Sequence, residues 1–101
     1  MASGWEGDMT DFLDTLFELI IDRRNHPPPD SYTASLFAQG TPRIAQKVGE
    51  EAVEVVVAAA SKNKAQVVTE SADLLYHLLV LLADQEVSLK MVKDELKRRH
   101  Q

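Results

Sequence analysis

The sequence predicts an all-α fold, an antiparallel helical bundle, and three observations carry that reading. Apolar residues recur at three- and four-residue spacing along most of the chain. Only four glycines and four prolines interrupt 101 residues. The breaks at 61–63 and 85–88 are short, which makes the last three long segments antiparallel neighbours.

The first helix is expected over Met9 to Arg24, where Met9, Phe12, Leu13, Leu16, Phe17, Leu19, Ile20 and Ile21 hold helical spacing and Asp8 or Thr10 can cap it. The segment His26-Pro27-Pro28-Pro29-Asp30 ends it, because proline lacks a donor and pushes the residue before it toward extended geometry. A short helical turn follows over 31–40, with Ser31 or Thr33 as cap and Gly40 as stop. A long helix then starts at Thr41 as N-cap, with Pro42 at the first helical position, and runs to Ala60. Val53 to Val57 is the strongest strand candidate, but good helix formers flank it and no hairpin turn follows, so it reads as helix.

Asn63 is expected to cap the fourth helix, with Gln66 completing a capping-box pattern. Its Val67, Val68, Leu74, Leu75, Leu78, Leu79, Val80, Leu81 and Leu82 surround most of the circumference, which predicts a helix in the middle of the bundle. Ser88 caps a last helix from Leu89 to Arg99. There Leu89, Val92 and Leu96 form a thin stripe, and Lys97, Arg98 and Arg99 suit the negative end of the dipole.

Residues 1–101 read as one domain, short enough to bury only about two-thirds of its unfolded surface, so further burial by self-association is expected. With no cysteine, disulfides, thiolate zinc sites and cysteine nucleophiles are excluded. The net charge of −5, from 16 acidic and 11 basic residues, argues against nucleic acid as a partner. The N-terminus has no signal-peptide pattern and uninterrupted apolar runs are too short to span a bilayer. A soluble, cytoplasmic protein without a membrane partner is therefore expected.

Two acidic pairs, Glu51-x-x-Glu54 and Glu70-x-x-Asp73, lie in the most apolar stretch, Ile44 to Ala83, where an unpaired carboxylate costs most. On a helical wheel Arg43, Lys47, Glu50, Glu51 and Glu54 fall within an arc of about 100°, and Glu70, Asp73, His77 and Asp84 within about 60°. Antiparallel packing about the 61–63 connection brings the two pairs opposite each other. Four converging carboxylates without cysteine suit Mg²⁺ or Mn²⁺. Either pair alone reads more simply as a solvated helix face, and Lys47 with Glu51 as a surface ion pair. A di-iron site would need Glu-x-x-His, but Asp73 stands where the histidine belongs and His77 does not restore it, reading instead as a polar group at the seam's edge.

The stretch Lys47-Val48-Gly49-Glu50-Glu51-Ala52-Val53-Glu54, with Glu70-Ser71-Ala72-Asp73-Leu74-Leu75-Tyr76-His77 after it and Ser31-Tyr32-Thr33 before it, resembles the phosphoribosyl-ATP pyrophosphohydrolases of histidine biosynthesis. The acidic pairs alone indicate the wider all-α nucleoside triphosphate pyrophosphohydrolase group, which includes MazG-like enzymes. The resemblance runs from about Phe12 to Leu96. It implies a Mg²⁺-dependent helical homodimer that splits the α,β-phosphoanhydride of 1-(5-phosphoribosyl)-ATP, giving 1-(5-phosphoribosyl)-AMP and pyrophosphate. Since the chain lacks room and cysteines for a fused zinc-dependent cyclohydrolase, a stand-alone form is expected.

On this reading Glu51, Glu54, Glu70 and Asp73 hold the metal, while Glu50 joins them or orients the attacking water. Arg43 and Lys47 meet phosphate oxygens, unless Lys47 serves as a structural ion pair with Glu51. Ser31, Tyr32 and Thr33 form either a substrate-facing loop or a capped turn that packs Tyr32 into the core. Two alternatives remain open. A house-cleaning enzyme for another nucleoside triphosphate would prefer dUTP or dCTP to phosphoribosyl-ATP. A helical interaction module would release no pyrophosphate from any nucleotide.

Overall fold

The structure, a computed structural model, describes the backbone of residues 3–101 and the side chains of 12–101. The contribution expected of Met9 and the caps expected at Asp8 or Thr10 lie outside the described side chains. Five helices and no strand occur among the described residues: α1 (Ser3–Asn25), α2 (Tyr32–Gln39), α3 (Thr41–Ala60), α4 (Lys64–Asp84) and α5 (Leu89–Arg99). The all-α prediction holds, and the valine-rich segment 53–57 is helical as expected.

Helix α1 begins six residues before the predicted Met9, in a polar segment with no apolar period to mark it. Ser31 caps α2, its hydroxyl accepting from the Ala34 amide at 3.1 Å. Gly40, at φ 93°, closes α2 and also takes the N-cap place of α3, which corrects the expectation for Thr41. A glycine tolerates that left-handed φ, so a single residue can turn the chain between two helices. Thr41 becomes helical instead, and its hydroxyl donates to Asp84 at 2.7 Å.

Asn63 caps α4 as predicted, accepting from the Gln66 amide at 3.1 Å. The second half of the capping box is not made, because the Gln66 side chain reaches forward to Glu70 at 3.0 Å. Ser88 caps α5 in the same manner as Asn63, accepting from Met91 at 3.1 Å. Helix α5 is fastened to α1 by an ion pair between Lys93 and Asp14 at 2.6 Å.

The core gathers Phe17 and Ile20 of α1, Leu36 of α2, Ile44 of α3, and Leu79, Val80 and Ala83 of α4. These residues meet at the end of the α3–α4 hairpin remote from its 61–63 turn. Toward the turn the cover stops: Val56 is 66% exposed and Val68 70%, and Val53, Val57, Leu75 and Leu78 are exposed as well. Helix α4 packs along α3 and against α1, as a central helix should, but within this chain its cover is partial: its buried residues, His77, Leu79, Val80 and Ala83, all lie in its C-terminal half. By length and composition α4 is apolar enough to cross a membrane, which counting uninterrupted runs did not reveal; the central helix of a bundle has the same character.

Candidate functional site

Helices α3 and α4 run antiparallel, with Thr41 beside Asp84 at one end and Glu51 near Glu70 and Asp73 further along. One carboxylate oxygen from each of Glu51, Glu70 and Asp73 lies within 4.8 Å of the other two. Glu51 comes from one helix and the Glu-x-x-Asp pair from the other, the convergence that i, i+3 spacing and a short turn predict. Glu51 and Glu70 are half-buried, whereas Asp73 is exposed.

Glu54 stands outside this close trio. Even so, after burial itself, its charge raises the pKa of Glu70 more than those of Asp73 and Glu51, while the Gln66 amide works in the opposite sense. The exposed Glu54 side chain thus lies near enough for its charge to act on the same carboxylate. Like charges crowded at one point favour a proton, or a cation, on Glu70.

The donor set fits a hard divalent cation. Octahedral coordination at about 2.1 Å places ligand oxygens roughly 3 to 4.2 Å apart, close enough to the observed cluster for side-chain rotation to close the difference. Five carboxylates, those of Glu50, Glu51, Glu54, Glu70 and Asp73, share this region of the hairpin with two cations, Arg43 and Lys47. Lys47 lies 3.7 Å from Glu50 and 3.6 Å from Glu51, so the ion pair expected from spacing is formed at the edge of the cluster. Glu50 is exposed and also accepts from Gln46 at 2.9 Å. Arg43 is half-buried one turn before Lys47 on α3.

The Ser31–Thr33 segment is the N-cap and first turn of α2. Ser31 is committed to the cap. Tyr32 remains 52% exposed rather than entering the core, while Thr33 is buried. The Tyr32 hydroxyl meets His77 Nε2 at 2.7 Å, and the Thr33 and Tyr76 hydroxyls are in direct contact. His77 is buried, and its Nδ1 lies 2.7 Å from the Asp73 carbonyl oxygen. No sequence period links residues 45 positions apart, so the pairing of Tyr32 with His77 could not be found from spacing. The Gln66–Glu70 and Gln46–Glu50 bonds follow an i, i+4 rule that could have revealed them.

The sequence model of the family described as phosphoribosyl-ATP pyrophosphohydrolase matches residues 13–100. Among curated relatives, the histidine biosynthesis bifunctional protein HisIE of Vibrio parahaemolyticus is 54% identical over 101 residues, 95% of this chain and 48% of that protein. The corresponding protein of Shewanella oneidensis is 54% identical over 96 residues, 95% of this chain and 46% of its own length. The chain thus spans about half the length of these relatives. It is also 56% identical over 91 residues to the phosphoribosyl-ATP pyrophosphatase of Metallosphaera sedula, 90% of this chain and 98% of that protein.

Proposed function

The chain belongs to the phosphoribosyl-ATP pyrophosphohydrolase family, and from that premise we propose that it hydrolyses the α,β-phosphoanhydride of 1-(5-phosphoribosyl)-ATP to 1-(5-phosphoribosyl)-AMP and pyrophosphate. The observation that carries this reading is the meeting of Glu51 with Glu70 and Asp73 across the α3–α4 hairpin, inside the stretch the family match covers.

Glu51, Glu54, Glu70 and Asp73 are the residues to hold Mg²⁺, with Mn²⁺ as a substitute. When bound, the ion neutralises phosphate oxygens and lowers the pKa of a coordinated water. Glu50, steadied by Gln46, is placed to accept a proton from the attacking water or to join the metal ligands. Lys47, poised between Glu50 and Glu51, has a further donor available for a phosphate oxygen, and Arg43 supplies a second cation one turn away. The Ser31–Thr33 turn borders the substrate. A soluble, cytoplasmic homodimer is part of the proposal, and the uncovered Val53, Val56, Val57, Val68 and Leu75 support the dimer.

Asp73→Ala and Glu51→Ala test the site. Each should lower Mg²⁺-dependent pyrophosphate release from phosphoribosyl-ATP by at least about a hundredfold, in line with loss of a metal ligand, while circular dichroism keeps the helical signal. Undiminished turnover in either variant removes that residue from the metal set. Faster turnover of dUTP or dCTP than of phosphoribosyl-ATP would move the substrate elsewhere.

A further inference from the structure

We propose that His77 is a positioning residue, which locks the first turn of α2 onto the helix bearing Glu70 and Asp73 and so fixes the wall of the site relative to its carboxylates. This role rests on the activity proposed above, and it gives the Tyr32 and Thr33 hydroxyls a part that acts through α4 rather than on substrate.

The ring nitrogens set the direction of both histidine bonds. A backbone carbonyl can only accept, so the 2.7 Å contact from Nδ1 to the Asp73 oxygen puts a proton on Nδ1. In the neutral ring Nε2 is then an acceptor, and the Tyr32 hydroxyl donates to it at 2.7 Å. The two rings meet edge to face, with centroids 5.7 Å apart. Next to this bond, buried Thr33 shares a hydroxyl contact with Tyr76, whose ring also meets His77 edge to face at 5.6 Å.

Consecutive residues of α2 are thereby tied to consecutive residues of α4, one helical turn after Asp73. With Ser31 used as the cap, all three hydroxyls of the segment have internal partners. Helix α2 also leads through Gly40 directly into α3, which carries Arg43, Lys47 and Glu51. A shift of its first turn would therefore move the site's edge from both sides.

Three variants separate this role from simple packing. Tyr32→Phe removes the donor. His77→Asn keeps a group where Nδ1 stood but loses the acceptor, and His77→Gln returns an acceptor near the Nε2 position. With phosphoribosyl-ATP and Mg²⁺, Tyr32→Phe and His77→Asn should each raise KM about fivefold, the size of one neutral hydrogen bond, while kcat changes by less than about twofold. The Tyr32→Phe/His77→Asn double variant should be no worse than either single one, and His77→Gln should restore KM. Effects that multiply in the double variant would put the Tyr32 hydroxyl on the substrate itself and overturn the proposal. So would a lowered Tm with unchanged KM.

Hydrogen exchange in the metal-free protein supplies an arm independent of turnover. The amides of α2 should exchange faster in Tyr32→Phe and His77→Asn but not in His77→Gln, and equal exchange in all of them defeats the proposal. Failure of the unaltered protein to cleave phosphoribosyl-ATP would defeat the functional reading instead, leaving the exchange result to decide the positioning role.

Discussion

The α3–α4 hairpin is built differently at its two ends. Where α3 begins and α4 finishes, Ile44, Leu79, Val80 and Ala83 are closed over by Phe17, Ile20 and Leu36 from α1 and α2. Near the 61–63 turn, valines of the same kind stand open: Val53, Val56, Val57 and Val68. The carboxylates of Glu51, Glu70 and Asp73 lie between these ends. Helix composition is similar throughout, so the difference comes from which neighbours the chain itself supplies. One end gets its burial from within, and the other leaves apolar surface for a partner and acidic surface for a cation.

The sharpest way to break this contrast is to shorten one side chain at each end. Leu79→Ala, in the closed end, should destabilise the fold by about 2–5 kcal/mol through lost transfer energy and a residual cavity. Val68→Ala at the open end should cost no more than about 0.5 kcal/mol in the isolated chain, since that side chain is already in water. Urea denaturation at a concentration too low for association measures both. Equal losses would mean that the open end is covered even in the single chain.

Much of the contrast was written in the residues, but not all of it. Periodicity and caps identified the four long helices, and the stop at Gly40 the short α2. Asn63 and Ser88 announced their caps because each offers a short side-chain acceptor just before an apolar period, while the cap of α2 lay open between Ser31 and Thr33 until the structure gave it to Ser31. The approach of Glu51 to Glu70 and Asp73 followed from i, i+3 spacing and a short turn. What periodicity could not supply was the extent of cover. The pattern of Val67 to Leu82 says that α4 is apolar nearly all round, but not whether α1 and α2 are long enough, or so placed, to reach Val68 and Leu75. The Tyr32–His77 bond was hidden for a related reason: it depends on how two distant helices pack, and a lone histidine beside an acidic seam carries no such address.

A second prediction turns the open end into a measurement of assembly. Burying a valine yields about 1.5–3 kcal/mol, so a charge at Val56 or Val68 should defeat a dimer that buries them. Sedimentation of the unaltered protein should give the mass of two chains, and Val68→Asp should give that of one, with its helical signal retained. A wild-type monomer, or an unaffected dimer, would show that the open valines are not the subunit interface. Because the acidic site sits next to this face, loss of turnover on dissociation would further place part of the site's environment in the second chain.

The smallest effect lies at the carboxylates between the two ends, and its sign follows from Glu70. Burial and the charges of Glu54, Asp73 and Glu51 raise its pKa above the ordinary value of 4.5. The folded chain therefore binds that proton more tightly than the unfolded chain does. The stabilising contribution is complete below the unfolded pKa and is lost as pH rises through the folded one. At neutral pH, without metal, the cluster is left with like-charge repulsion. Glu70→Gln should relieve it and raise the metal-free Tm at neutral pH, with the advantage over the unaltered protein shrinking as the buffer is taken to pH values below the unfolded pKa. The same variant should lose most of the Tm gain that Mg²⁺ gives the unaltered protein, because a carboxylate ligand has become a weaker neutral one. If the advantage of the Glu70→Gln variant were instead the same in acid as at neutral pH, charge crowding could not be its source, and the case for a cation at this midpoint of the hairpin would lose its electrostatic support.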